Sequence, residues 1–259
     1  VNVINRRIAG WVLATMLLSA CAPTELNSRD TSGRQTSASV NTQLGIEYMR
    51  EGMYEASLEK LEKAISQDPS YQAAHTSIAV LYERLGETKL AEKHYRKAYK
   101  LDPRDALTLN NYGQFLCHHG RYDEADRMFN TALKDPLYRH PETVLTNAGL
   151  CAARQGMQDK AAEYFRQALV RNPKYPPALR EMARISFARK HWLGVRAYLQ
   201  RLQEISALTP EFLWMGIQTE QALGDRNALS SYALLLKNRY PESEETRRLI
   251  EWERARSGR

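Results

Sequence analysis

The side chains with the most intrinsic chemistry in this sequence are three cysteines, Cys21, Cys117 and Cys151, and six histidines, of which His118 and His119 are adjacent. A metal site needs such donors to converge, through Cys-x-x-Cys or through two histidines one helical turn apart, and neither spacing occurs. Neighbouring residues on a helix point about 100° apart, so His118 and His119 diverge and read as surface histidines near a helix end. There is no glycine-rich loop to cradle a phosphate, and carboxylates such as Glu59 stand four residues from a lysine (Lys63), the spacing of an exposed ion pair. The sequence therefore predicts no enzyme, no metal and no small-molecule substrate. Its cysteines are left for acylation or disulfide formation.

Cys21 follows three zones of a secretory signal. Arg6 and Arg7 supply positive charge, and Ile8 to Leu18 form an apolar run too short to cross a hydrocarbon layer of ~30 Å as a permanent helix. Leu18-Ser19-Ala20-Cys21 resembles a lipobox, in which small residues precede a thiol that accepts a diacylglyceryl group. That resemblance implies removal of residues 1–20, a diacylglycerol and an N-acyl chain on Cys21, and no other cofactor. Several acyl chains on one residue anchor stably where one would be marginal. Ala22, in place of Asp, implies sorting to the outer membrane with the body in the periplasm. An ordinary signal peptide followed by a coincidental cysteine is the alternative. Val1 in place of Met suggests an alternative start codon. Residues 21–37 are rich in Ser, Thr, Asn and Gly and read as a lipidated flexible tether spanning roughly 20–25 Å. The formal charge of +7 comes from 37 basic and 30 acidic residues; without Arg6 and Arg7 it is 35 against 30, or +5. So weak a bias, with no basic run interleaved with aromatics, does not indicate nucleic-acid binding.

The elements that must position the remaining residues repeat every 34 positions. Glycine is scarce, while Ala, Leu, Lys, Glu, Arg and Gln are abundant, which favours helices over sheet. Leu44-Gly45, Tyr48, Gly52, Tyr54, Ala64 and Pro69 recur as Ile78-Ala79, Tyr82, Gly86, Ala91, Tyr95, Ala98 and Pro103. They recur again as Tyr112-Gly113, Leu116, Gly120, Tyr122, Ala125, Phe129 and Ala132, with Pro136 one place early. After a two-residue insertion come Ala148-Gly149, Gly156, Ala161, Phe165, Ala168 and Pro173. Two weaker copies surround Met182-Ala183 with Trp192 and Leu199, and Met215-Gly216 with Ala228, Tyr232 and Pro241. Small residues at the eighth and twentieth positions let two helices approach, an aromatic fills the space beside them, and proline ends the second helix.

This pattern resembles the tetratricopeptide repeat. It implies an all-α, right-handed superhelical solenoid of six repeats over residues 38–242, closed by a capping helix over 243–259. In that helix Ser243 caps an acidic first turn (Glu244, Glu245), and the last turn is basic (Arg254, Arg256). More narrowly, the segments Leu109 to Leu116, Asn147 to Cys151 and Leu236 to Pro241, with the lipobox, resemble the type IV pilus biogenesis and stability lipoproteins, the pilotins of the pilus secretin. The resemblance implies an outer-membrane lipoprotein that binds the secretin and promotes its localisation and multimerisation. Another envelope-assembly scaffold built on the same repeat is the alternative.

In such repeats the second, fifth, sixth, ninth, twelfth and thirteenth positions of the first helix tend to face a ligand. They give an apolar set, Ile46, Met49 and Val80; an amide set, Asn110, Asn111, Gln114 and Asn147; and a basic pair, Arg180 and Arg184. Thr42 and Ile46 occupy places where carboxylate-clamping repeats carry Asn or Lys, so a terminal carboxylate is not the expected ligand.

Once Cys21 is acylated, Cys117 and Cys151 are the only cysteines left, in an oxidising compartment. They fall on neighbouring first helices, at the twelfth and tenth positions, and the helical rotation between those positions lets one face forward and the other back. The expectation is a disulfide stabilising the fold by roughly 3–4 kcal/mol, against two separately buried thiols. Cys21→Ser is expected to release the chain from membranes. An unchanged membrane fraction, with an unmodified mass for the N-terminal peptide of the wild type, would contradict that.

Overall fold

The computed structural model describes residues 36–257; the expected signal segment, Cys21 and the expected tether as far as residue 35 lie outside them. The described residues form thirteen helices and no strand. Twelve pair as six helical hairpins: α1 (Ser37–Arg50) with α2 (Tyr54–Gln67), α3 (Gln72–Arg84) with α4 (Thr88–Leu101), and α5 (Ala106–His118) with α6 (Tyr122–Ala132). They continue as α7 (Pro141–Arg154) with α8 (Gln158–Arg171), α9 (Pro176–Ala188) with α10 (Trp192–Gln203), and α11 (Pro210–Leu223) with α12 (Arg226–Arg239), before α13 (Glu244–Ser257). None is long and apolar enough to cross a membrane.

Each hairpin closes on one contact. A Cβ placed on Gly45 would lie 2.6 Å from Leu61 Cγ, and one on Gly113 would lie 2.7 Å from Phe129 Cε1. The same holds for Gly149 against Phe165 at 2.6 Å, and for Gly216 against Tyr232 at 3.0 Å. Ala79 with Tyr95, and Ala183 with Leu199, fill the corresponding places in the second and fifth hairpins, and all four are buried. The missing side chain admits the partner ring or branch, so the core is a row of such contacts.

Between paired helices the chain turns through a left-handed residue. Gly52, Gly86, Gly120, Gly156 and Gly224 have φ between 73° and 83°; in the fifth hairpin Lys190 takes that role at φ 55°. This position is open enough for a side chain, but the backbone conformation favours glycine. Prolines punctuate both helix types. Pro141, Pro176 and Pro210 open α7, α9 and α11, where a missing N–H costs nothing, and Pro69, Pro103, Pro173 and Pro241 follow the ends of second helices. Pro136 arrives early, α6 is correspondingly short at 11 residues, and the insertion lies in the connection from Leu133 to His140.

Neighbouring hairpins are tied by polar groups as well as by packing. Arg196 holds Glu220, whose side chain is 1% exposed, through Nε at 2.9 Å and a second, shorter contact from its other nitrogen. Arg184 grips both carboxylate oxygens of Glu211 at 2.7 and 2.8 Å. Cys117 on α5 and Cys151 on α7 are joined by a disulfide with Cα atoms 5.8 Å apart. At the chain's end Ser243 Oγ accepts the N–H of Thr246 at 3.2 Å, and buried Leu249 joins α13 to the core.

Gly149→Val is expected to lower stability by about 1–3 kcal/mol through overpacking against Phe165, with part of the loss recovered when Phe165→Leu is added. An unchanged denaturation midpoint for Gly149→Val would contradict the close contact.

Candidate partner-binding groove

Successive first helices touch one another, α1 with α3, α3 with α5 and α5 with α7, and form a continuous surface. A groove of about 360 Å³ opens across α1, α3 and α5. Its apolar lining is Ile46, Met49, Ala73, Val80 and Leu107; Ser77, Thr76, Gln72 and Asn111 add polar groups, and Arg50, Arg84 and Asp105 add charge.

These residues reach the groove because helical periodicity brings them there. In the second hairpin Ala73, Ser77, Val80 and Arg84 occupy one stripe of α3, while Ala79 points towards α4. Ile46 and Val80 are half-buried, and Met49, 5% exposed, forms floor rather than rim. Val80 also packs on the cores on both sides of it. Leu107 is 52% exposed and belongs to no core cluster, so its apolar surface faces the groove and solvent. Sequence reasoning passed over Leu107, although it stands at the second position of its hairpin, one of the positions expected to face outward.

The floor is held by hydrogen bonds. Gln72 Nε2 donates to Asp105 Oδ2 at 2.9 Å and, over a shorter distance, to Thr108 Oγ1, which lies 2.7 Å from Thr76 Oγ1. Asp105 also caps α5 by accepting the N–H of Thr108 at 2.7 Å. Arg84 Nη1 donates to the carbonyl of Met49 at 3.3 Å, satisfying an acceptor at the end of α1.

The amide set divides. Asn111 lines the groove and Gln114 is half-buried farther along α5. Asn110 is 4% exposed and its Oδ1 accepts from Asn147 Nδ2 at 2.9 Å, so this pair joins adjacent repeats instead of offering an open amide to a peptide. The fifth position is buried in each of the first four hairpins: Thr42, Thr76 and Thr146 lie there too, each bonding the carbonyl four residues earlier. A small polar residue that recurs at this position was the available signal for burial. Of the basic pair, Arg184 is engaged by Glu211 and, at 2.5 Å, by Glu181, so it is not a free cation for an acidic segment. Arg180 is half-buried, as Ile46 and Val80 are. Cys21 lies outside the described residues.

The histidines do not assemble a site. His118 Nδ1 lies 3.0 Å from Glu83 Oε1, whereas His119 packs at a tilt against Phe115 with ring centroids 4.5 Å apart. A pair that the sequence did not suggest, His75 and His94, has its Nδ1 atoms 3.0 Å apart, with His75 Nε2 3.1 Å from the carbonyl of Pro69. If His75 Nε2 donates to that carbonyl, His75 Nδ1 accepts and His94 Nδ1 donates. Burial holds His75 below the usual imidazole range and His94 down at about 4, so both are neutral at neutral pH. No cluster of three metal-donor side chains occurs among the described residues.

Comparison with known proteins places this architecture. Residues 42–106 and 104–170 each match the tetratricopeptide repeat family. The type IV pilus assembly protein PilF of Pseudomonas aeruginosa is 35% identical over 211 residues, which cover 82% of this chain and 84% of PilF. The solved structure of P. aeruginosa PilF superposes with a TM-score of 0.74 at 33% identity, covering 83% of this chain and 97% of that one. That of PilW, described as a widely conserved type IV pilus biogenesis factor, superposes with a TM-score of 0.72 at 31% identity, covering 84% and 100%. The chain therefore belongs to the family of tetratricopeptide-repeat proteins of type IV pilus biogenesis.

Proposed function

We propose that this chain is a lipoprotein of the outer membrane, anchored through Cys21, whose periplasmic body binds the type IV pilus secretin and promotes its localisation and multimerisation. It works by binding rather than by catalysis. The groove across α1, α3 and α5 carries this reading. Leu107, Ile46 and Val80 leave apolar surface open beside the hydrogen-bonding groups of Ser77 and Asn111, a combination that suits an apolar segment of another chain. Membership of the pilus-biogenesis family directs the choice of partner towards the pilus machinery, and the lipobox supports the location.

The occupant would contribute one or a few apolar side chains to the open part of the groove, while its backbone engages Ser77 and Asn111. The floor, fixed by the Gln72, Thr76, Thr108 and Asp105 network, needs no rearrangement to receive it. Such preorganisation keeps the ordering cost of binding low.

In pull-downs from detergent-solubilised envelopes the wild type is expected to recover secretin. Leu107→Asp is expected to reduce recovery at least about tenfold, the loss that follows from ~1.4 kcal/mol of buried apolar contact, with thermal unfolding unchanged because Leu107 supports no core. Wild-type recovery of secretin by Leu107→Asp would refute the groove. Recovery of a different envelope assembly in place of secretin would refute the partner.

A further inference from the structure

The second hairpin carries a second exposed surface, on the side of α4 turned away from α3. Rotation of about 100° per residue places Lys89, Lys93, Arg96, Lys97 and Lys100 within an arc of about 100°, over a length of about 16 Å. All five are exposed, and the buried residues Ala91, Tyr95 and Ala98 lie on the opposite side of the helix. Arg96 pairs with Glu92 at 2.8 Å, but the four lysines form no ion pair among the described residues. The equivalent positions on α2 are Glu55, Glu59, Glu62, Lys63 and Ser66, and those on α6 are Asp123, Arg127, Asn130 and Thr131, with Lys134 just past its end. An unbroken basic line is therefore peculiar to α4 and is not the ordinary mixed-charge surface of these second helices.

We propose that this basic stripe of α4 docks on an anionic phospholipid surface. Lysines are compact point charges on flexible stems, suited to mobile headgroup phosphates and poorly suited to a shaped protein contact, whose core is typically depleted of lysine and enriched in aromatics. Leu90 at the flank of the stripe is partly open to the surface. Each basic residue near an anionic leaflet strengthens attachment by roughly fivefold. The inference rests on the anchored reading for proximity, because a lipid on Cys21 holds the first repeats at high effective concentration beside the bilayer. Docking through α4 would turn the α3 face, and with it the groove, away from lipid.

The test is lysine acylation footprinting of the full lipidated chain in vesicles of phosphatidylcholine, with or without phosphatidylglycerol. Acylation of Lys93 and Lys97 is expected to fall at least about fivefold in the anionic vesicles, to recover at high salt, and to recover in a Lys89→Gln, Lys100→Gln variant, with Lys190 unaffected throughout. Equal acylation in both vesicle types would overturn the proposal. Protection that appears only when solubilised envelope proteins are added would overturn it in favour of an acidic protein partner. Flotation of the vesicles reads the anchor separately: a chain that fails to float refutes the anchored reading, whereas one that floats without protection refutes only the stripe.

Discussion

The structure depends on one close approach, repeated six times: a glycine or alanine on the first helix of each hairpin meets a large side chain sixteen residues later on the second. At Gly45, Gly113 and Gly149 even a methyl group would fall within 3.0 Å of Leu61, Phe129 and Phe165. One hairpin cannot bury its apolar face alone, so each contact is useful only because the next repeat covers it. The ion pairs from Arg184 and Arg196 and the bridge between Cys117 and Cys151 supplement that covering at particular seams.

Stacking by this contact decides which side chains are free to bind. Once Ala79 is committed to α4 and Thr76 to the seam with Thr108, the stripe Ala73, Ser77, Val80 and Arg84 is what α3 has left to present. Adjacent first helices add Ile46 from one side and Leu107 from the other, and the groove results. Second helices are freed differently. Their outward residues are exposed, so charge there is little constrained by packing, and Glu55, Glu59 and Glu62 of α2 stand where α4 carries Lys89, Lys93 and Arg96.

Much of this was legible in the sequence because the repeat states the same packing rule several times. Gly113 and Phe129, or Gly149 and Phe165, announce themselves by type and spacing, and Ser243 with Glu244 and Glu245 marks the start of the final helix. The faces of the first helices were harder to read. Asn110 looked like an amide open to a ligand, but burial at the fifth position follows from the stacking of neighbouring repeats, which one repeat considered alone does not reveal. Arg184 likewise looked free because Glu211, which holds it, lies 27 residues away on another repeat. The contact between His75 and His94 joins two helices at a spacing outside any linear motif. Lys190 supports the left-handed turn of the fifth repeat without the glycine that marked the others.

The proposed role requires the surface left free on α1, α3 and α5 to receive a segment of the secretin. A photoreactive residue at Ser77, inside the groove, tests it most directly when activated in intact cells, with Glu62 on the outer face of α2 as the comparison. A crosslink to secretin is expected from position 77 and none from position 62. Crosslinking to secretin from position 62 alone, or from neither, would contradict it.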